Sequence, residues 1–183
     1  MNRIIAVIGM CGSGKSEAVK YFEQNGYKKV YFGEVVIEEL KRRGLDINEA
    51  NERLVREDLR KEHGMGVMAI KSIDKIKAYL KESNVVVESL YSWEEFKILS
   101  NEFGDSFKLL NIFTTKSLRY ERLKDRPFRP LTNEEAISRD FGEIEKLDKG
   151  GPIAFADFTV FNNSSLDELN QNLREVVEML LED

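Results

Sequence analysis

Ile4-Ile5-Ala6-Val7-Ile8-Gly9-Met10-Cys11-Gly12-Ser13-Gly14-Lys15-Ser16 decides how the rest of the chain is read. Five apolar residues ending at a glycine read as a buried strand, because a strand covered on both faces shows a continuous apolar run. Gly9 to Ser16 then follows the pattern G-x-x-x-x-G-K-[ST], the P-loop. Its glycines let the backbone turn with N–H groups facing inward. Those donors, with the N-terminus of the next helix, form a nest for phosphate oxygens. Gly9, Met10, Cys11, Gly12, Ser13, Gly14, Lys15 and Ser16 are therefore the expected nucleotide-binding residues. Lys15 is expected to reach the β- and γ-phosphates, and Ser16 to place its hydroxyl on Mg²⁺ as the metal ligand. The loop predicts a nucleotide such as ATP but does not by itself separate a kinase from an ATPase or GTPase.

Outward from this stretch, strands and helices alternate. Ala18, Val19 and Phe22 share one face of a helix from about Lys15 to Gln24, which Asn25-Gly26 ends. Lys29-Val30-Tyr31-Phe32 predicts a second strand. A long helical stretch covers about 34–80, broken at Gly44 and again around Gly64–Gly66. Asn84 to Glu88 predicts a third strand, and Ser92 caps a helix reaching about Asn101. Phe107 to Phe113 is the fourth strand and Ser117 to Lys124 the next helix. Pro127 and Pro130 bracket a loop, and Thr132-Asn133-Glu134-Glu135 reads as a helix start with an acidic first turn. Phe158 to Phe161 is the fifth strand, and Ser165 caps the last helix. Short apolar strands alternating with helices predict an α/β fold, a mostly parallel sheet with helices on both faces. No repeat or linker divides it, so residues 1–183 read as one domain.

Composition narrows the partners. The 183 residues carry a net charge of −5, which disfavours a long polyanion as general partner. One cysteine excludes a disulfide framework and a cysteine-rich zinc site. No segment approaches the roughly 18–20 apolar residues that span a bilayer. The run Ile4–Ile8 is shorter than the ~7–15-residue core of a signal peptide. The expectation is a soluble cytoplasmic protein, with neither membrane nor bulk nucleic acid as partner.

Lys116, Arg119, Arg122, Lys124, Arg126 and Arg129 cluster against Glu121 and Asp125 alone, in an acidic chain. Read structurally, this is a solvated basic helix and loop. Read functionally, it is a lid whose arginines close over phosphates and neutralise charge in the transition state. Arg139 on the following helix is placed to add a further positive group. Glu88, at the end of the third strand, faces the ligand crevice if the sheet is open, and is the candidate to orient metal water or acceptor. Glu34 is a weaker candidate. His63, before Gly64, reads as a helix C-terminal residue. Cys11 has no assigned role.

Two segments carry a resemblance. Ile4 to Ser16 is similar to the start of dephospho-CoA kinases and of their uncharacterised, adenylate-kinase-related nucleotide-kinase relatives. Ala156-Asp157-Phe158-Thr159-Val160-Phe161-Asn162-Asn163, with Ser165-Leu166-Asp167-Glu168-Leu169, resembles the end of the same group. Lys41 to Leu45 and Leu59 to Gly64 look like its acceptor-side helices. The resemblance implies a three-layer α/β/α P-loop NTPase fold with a five-stranded parallel sheet, a helical acceptor-binding arm at about 34–82 and a short arginine lid at about 124–132. It implies transfer of the ATP γ-phosphoryl group, with Mg²⁺, to a nucleoside monophosphate or dephospho-CoA-like acceptor. Arg122 and Arg126 match lid arginines, and Asn162 would lie near the adenine. Lys15, Arg122, Arg126 and Glu88 are then the candidates for catalysis. Two arginines of this branch are missing: Ile37 and Tyr91 stand at their acceptor-side positions, leaving Arg42, Arg43, Arg53, Arg56 and Arg60 as replacements.

Two functional readings follow. One is a kinase for a small nucleotide-like acceptor. The other is a nucleotide-dependent binding module or weak ATPase with a degenerate acceptor site.

Overall fold

Ile4–Ile8 (β1) is buried along its whole length, at the centre of the sheet, as its unbroken apolar run requires. The computed structural model describes residues 2–182. β1 pairs in parallel with β3 (Val85–Glu88) on one side and β4 (Phe107–Phe113) on the other. β2 (Lys28–Tyr31) pairs with β3, and β5 (Phe158–Phe161) with β4, also in parallel. The order is β2-β3-β1-β4-β5. The chain leaves β1 toward β2 on one side and later crosses to β4 and β5 on the other. The C-terminal end of β1 is thus the place where strand order reverses, and ligand crevices open at such points.

Helices cover both faces, giving three layers. α1 (Lys15–Gln24) and α9 (Leu166–Glu182) close one face through Ala18, Val19, Phe22, Leu169 and Leu173 against Ile5 and Val7. α2 (Glu34–Arg43), α3 (Glu49–His63), α4 (Val67–Leu80) and α5 (Trp93–Phe103) close the other, with Leu40, Val55, Leu59, Ile76 and Leu99 packed toward Ile4 and Ile8. Alternate residues of β1 thus serve opposite cores, as the two-residue period of a strand demands. α6 (Lys116–Asp125), α7 (Asn133–Glu145) and the short α8 (Gly150–Ala154) lie between β4 and β5 in the chain.

The expected breaks are real. Gly44 ends α2 in the left-handed region, at φ 68°, where a side chain would be strained, and Gly64 ends α3. Asn48 accepts from the Asn51 amide to start α3, a cap the sequence reading did not single out. Ser92 and Thr132 each form a capping box, with Glu95 and Glu135. Ser165 accepts from Glu168 N at 3.2 Å. β2 is placed one residue earlier than the apolar pattern suggests, because its register with β3 starts at Lys28 opposite Val85. α8 was not foreseen: five residues beginning Gly150-Gly151-Pro152 carry no helical period.

Candidate active site

The P-loop closes because its carbonyls are tied away from its hollow. Lys15 Nζ donates to Gly9 O at 2.8 Å and to Met10 O at 2.9 Å. Arg119 Nη1 donates to Cys11 O at 2.9 Å. Asn162 Nδ2 donates to Ser13 O at 2.9 Å, and Thr114 Oγ1 lies at the same distance from it. With these acceptors occupied, the loop's N–H groups are what remains for a ligand. α1 begins at Gly14, φ 95°, with no side-chain cap, whereas α5 and α7 carry capping boxes. An uncapped helix start holds several unpaired amides and the positive end of the helix dipole. A Cβ on Gly9 would stand 2.4 Å from Ile112 O, so the loop seats against β4 only as glycine. These features fit a bound phosphate chain.

Arg119 is itself clamped. It is buried, and its Nη1 and Nη2 donate to the two carboxylate oxygens of Asp140 at 3.0 and 2.6 Å. Tyr120 also donates to Asp140, at 3.0 Å. This bidentate pair fixes α6 to α7 and both to the loop.

Lys15 is held down to about pKa 7. Burial is the main cause, and the positive charge of Lys149 adds to it, while Glu143 opposes both. Lys149 is fully buried and donates to Glu143 Oε2 at 2.7 Å, with its ammonium 4.6 Å from the Tyr91 ring centroid. Burial pushes the Glu143 carboxyl up, but Lys149, Lys15 and Arg139 together hold it below the ordinary value.

A cleft of about 620 Å³ is lined in part by Glu143, the carboxylate whose charge acts on Lys15. Tyr31, Gly33, Ser89 and Tyr91 form its floor at the strand ends. α3 supplies Arg53, Arg56 and Arg60. Their spacing of three and four puts them on one face of that helix. Arg139 and Glu143 of α7, Lys146 just after it and Arg129 from the loop before it also line the cleft. Arg129 pairs with Glu49 at the start of α3, joining that loop to the arm.

Comparison with known proteins agrees with this geometry. The UPF0200 protein of Thermococcus kodakarensis is 35% identical over 182 residues, covering 97% of this chain and 98% of its own. The UPF0200 protein of Methanosarcina mazei is 33% identical over 184 residues, 100% and 97% of the two chains. The chain belongs to the UPF0200 family. A family model described as the AAA domain matches residues 8–138. Among solved structures, the fold is that of TT1252 from Thermus thermophilus (TM-score 0.63, 21% identity, 98% of each chain). It is also that of dephospho-CoA kinase from Campylobacter jejuni (0.56, 18%, 98% and 97%) and of shikimate kinase from Aquifex aeolicus (0.55, 22%, 98% and 96%). This UPF0200 chain thus has the three-layer P-loop kinase fold.

The P-loop residues of this UPF0200 protein sit together as expected, with Ser16 exposed at the start of α1. Arg122 Nη1 donates to Thr114 Oγ1 at 3.4 Å, behind the loop's Ser13 carbonyl. Arg126 is turned toward Arg129 O, its nearest acceptor. Asn162 is buried, and its amide is spent bracing Ser13. Glu88 lies 3.8 Å from Lys29 Nζ and is not among the side chains lining the cleft. Arg42 and Arg43 are tied to Glu39, and Arg43 also to Asp58, so they stand outside it; Arg53, Arg56 and Arg60 line it. His63 is exposed at the end of α3.

Sequence reasoning missed Glu143, Lys149, Asp140 and Glu95. The first two are buried charges brought together by the turn between α7 and α8, where Asp148 adopts φ 50°. The only local sign was a lysine beside Gly150-Gly151, which no motif marks. Asp140 lies on the polar side of a helix period. Glu95 follows the Ser92 cap and carries no further local sign.

Proposed function

We propose that this protein transfers the γ-phosphoryl group of Mg·ATP to a small nucleotide or nucleotide-like acceptor. One observation carries the reading: a P-loop with its carbonyls occupied, whose Lys15 feels the charge of Glu143, a residue of the same cleft that three α3 arginines line. The fold supports a nucleotide-binding, kinase-like protein. The names of its structural neighbours differ in acceptor, dephospho-CoA in one and shikimate in another, so the fold alone selects none.

In this reading Lys15 and the loop amides hold the donor phosphates. Arg126 moves with the 124–132 lid to meet the transferring group, Arg122 reaches it from α6, and Glu88 stays near the end of β3. Among the described residues no cluster of three or more His, Cys, Asp or Glu side chains suits a metal ion. Ser16, exposed at the start of α1, would be the protein ligand of a Mg²⁺ ion carried by the nucleotide, which would supply charge neutralisation to the phosphates. The chain's own contribution is positioning and fixed charge in a partly dry site. The lost arginines at Ile37 and Tyr91 do not leave the acceptor side without cations, because α3 turns three toward it.

The test is ADP release from Mg·ATP against nucleoside monophosphates, dephospho-CoA and an acceptor-free blank. One acceptor should raise release well above the blank, and Lys15→Ala should abolish the rise while the fold persists. Equal release in all wells by a protein that binds ATP would favour the weak ATPase reading.

A further inference from the structure

Two side chains that line the cleft each carry a buried polar atom with no partner among the described residues: Arg60 Nε on α3 and Glu95 Oε1 on α5. Buried polar groups are nearly always satisfied, so each such atom needs a reason. Glu95 is fully buried. Its other oxygen, Oε2, accepts Tyr91 N at 2.7 Å and Ser92 N at 3.0 Å, closing the capping box of α5. The side chain is thereby fixed, and Oε1 is left over in a set direction. Arg60 differs from the other arm arginines. Arg42, Arg43, Arg53 and Arg56 each have a carboxylate within ion-pair distance, whereas Arg60 has none among the described residues.

The two groups act on each other electrostatically without forming an ion pair, and both side chains line the same cleft. Burial pulls the Arg60 guanidinium down and pushes the Glu95 carboxyl up, with Glu95 and Arg60 each partly offsetting the other's shift. Both charges are thus held less comfortably than in water, and a ligand satisfying both would relieve them. The pair adjoins the donor side. Lys149, whose charge also acts on Lys15, acts on Glu95 as well. Arg56, Glu57 and Tyr91 are the other charged or titratable groups acting on Arg60.

We infer that Arg60 and Glu95 are the recognition pair for the acceptor, which carries an oxyanion beside a hydroxyl or amino group. Arg60 holds the anion and takes over from the arginines absent at Ile37 and Tyr91. Glu95 Oε1 accepts the neighbouring O–H or N–H. A guanidinium gives directional, charge-assisted bonds to phosphate or carboxylate. A buried carboxylate oxygen rejects analogues that lack the donor, because it would then stay unpaired. The inference rests on the phosphotransferase reading but is tested by binding alone.

The experiment is calorimetric titration of the full chain without nucleotide. The probes are AMP and CMP as phosphates, gluconate and shikimate as hydroxy-carboxylates, and adenosine as a neutral control. At least one anionic probe should bind, and adenosine should not. Arg60→Gln should weaken that probe about tenfold or more, and Arg60→Lys by less. Glu95→Gln keeps a carbonyl oxygen for the α5 cap but puts an NH₂ where the free oxygen was. It should weaken the same probe about fivefold or more with thermal unfolding nearly unchanged. The class of the bound probe tells phosphate from carboxylate. Binding by no anionic probe, or binding within about twofold of wild type in Arg60→Lys, Arg60→Gln and Glu95→Gln alike, would overturn the inference. Loss of γ-phosphoryl transfer with this binding pattern intact would instead overturn the kinase reading and leave the pair standing.

Discussion

Lys149 Nζ, fully out of solvent, lies 2.7 Å from Glu143 Oε2. Glu143 also takes Arg139 Nε at 3.4 Å. One buried carboxylate thus balances two cations beside the P-loop lysine. Removing one partner of a buried pair leaves the other charge unmatched, at a cost of about 3–5 kcal/mol. Lys149→Met should lower denaturant stability by an amount in that range, reduced by whatever Arg139 can compensate. The double change Lys149→Met with Glu143→Leu should recover part of the loss.

The same pair gives a pH prediction. Glu143 is held below the ordinary carboxylate value of 4.5 in the folded chain. A carboxyl lowered on folding contributes stability that is present above its unfolded value and lost as pH falls through its folded one. Wild-type stability should therefore fall as pH drops below about 5, and Glu143→Gln should flatten that slope. Denaturation midpoints at several pH values check this.

Arg119 braces the loop by joining Cys11 O to Asp140. Lysine keeps the charge but cannot reproduce a bidentate fork and a third bond together. Arg119→Lys should cost about 1–3 kcal/mol of stability and weaken ATP binding, measured by denaturation and by nucleotide titration.

Gly14 sits at φ 95°, and a Cβ there would stand 2.1 Å from Asn162 Nδ2. Gly14→Ala should cost about 1–2 kcal/mol in backbone strain alone and should abolish ATP binding through the displaced loop. Adding Asn162→Ala removes the clash but not the strain, so stability should return only in part.

Arg129 and Glu49 join the loop before α7 to the start of α3 while both stay substantially exposed. Exposed pairs contribute roughly 0–1 kcal/mol, so Glu49→Gln should leave the unfolding midpoint nearly unchanged. If the contact closes the lid, turnover should shift and lose part of its salt dependence, which steady-state kinetics at two ionic strengths will show.

Much of this was legible in the chain itself. The apolar run Ile4–Ile8 marks β1 as a buried strand and Gly9–Ser16 marks the turn into α1, as the structure has them. Gly44, Gly64, Ser92, Thr132 and Ser165 mark helix ends by local chemistry, and the structure uses all five. What stayed hidden depends on tertiary contact. Lys149 and Glu143 meet through a turn with no sequence signature. Glu95 carries no sequence sign that its carboxylate is fully buried beside the cleft. The absence of arginine at Ile37 and Tyr91 was visible, but that Arg53, Arg56 and Arg60 line the cleft needed the placement of α3. Asn162, expected by resemblance near adenine, is found bracing Ser13 O.

The most direct test of the central claim follows the label from γ-³²P-ATP in the presence of Mg²⁺ and each acceptor in turn. The account predicts that with one acceptor the label appears in a new phosphorylated product, and that Lys15→Ala does not form it. Label recovered only as inorganic phosphate, at the same rate with every acceptor and without any, would contradict phosphoryl transfer to a small acceptor and identify a hydrolase.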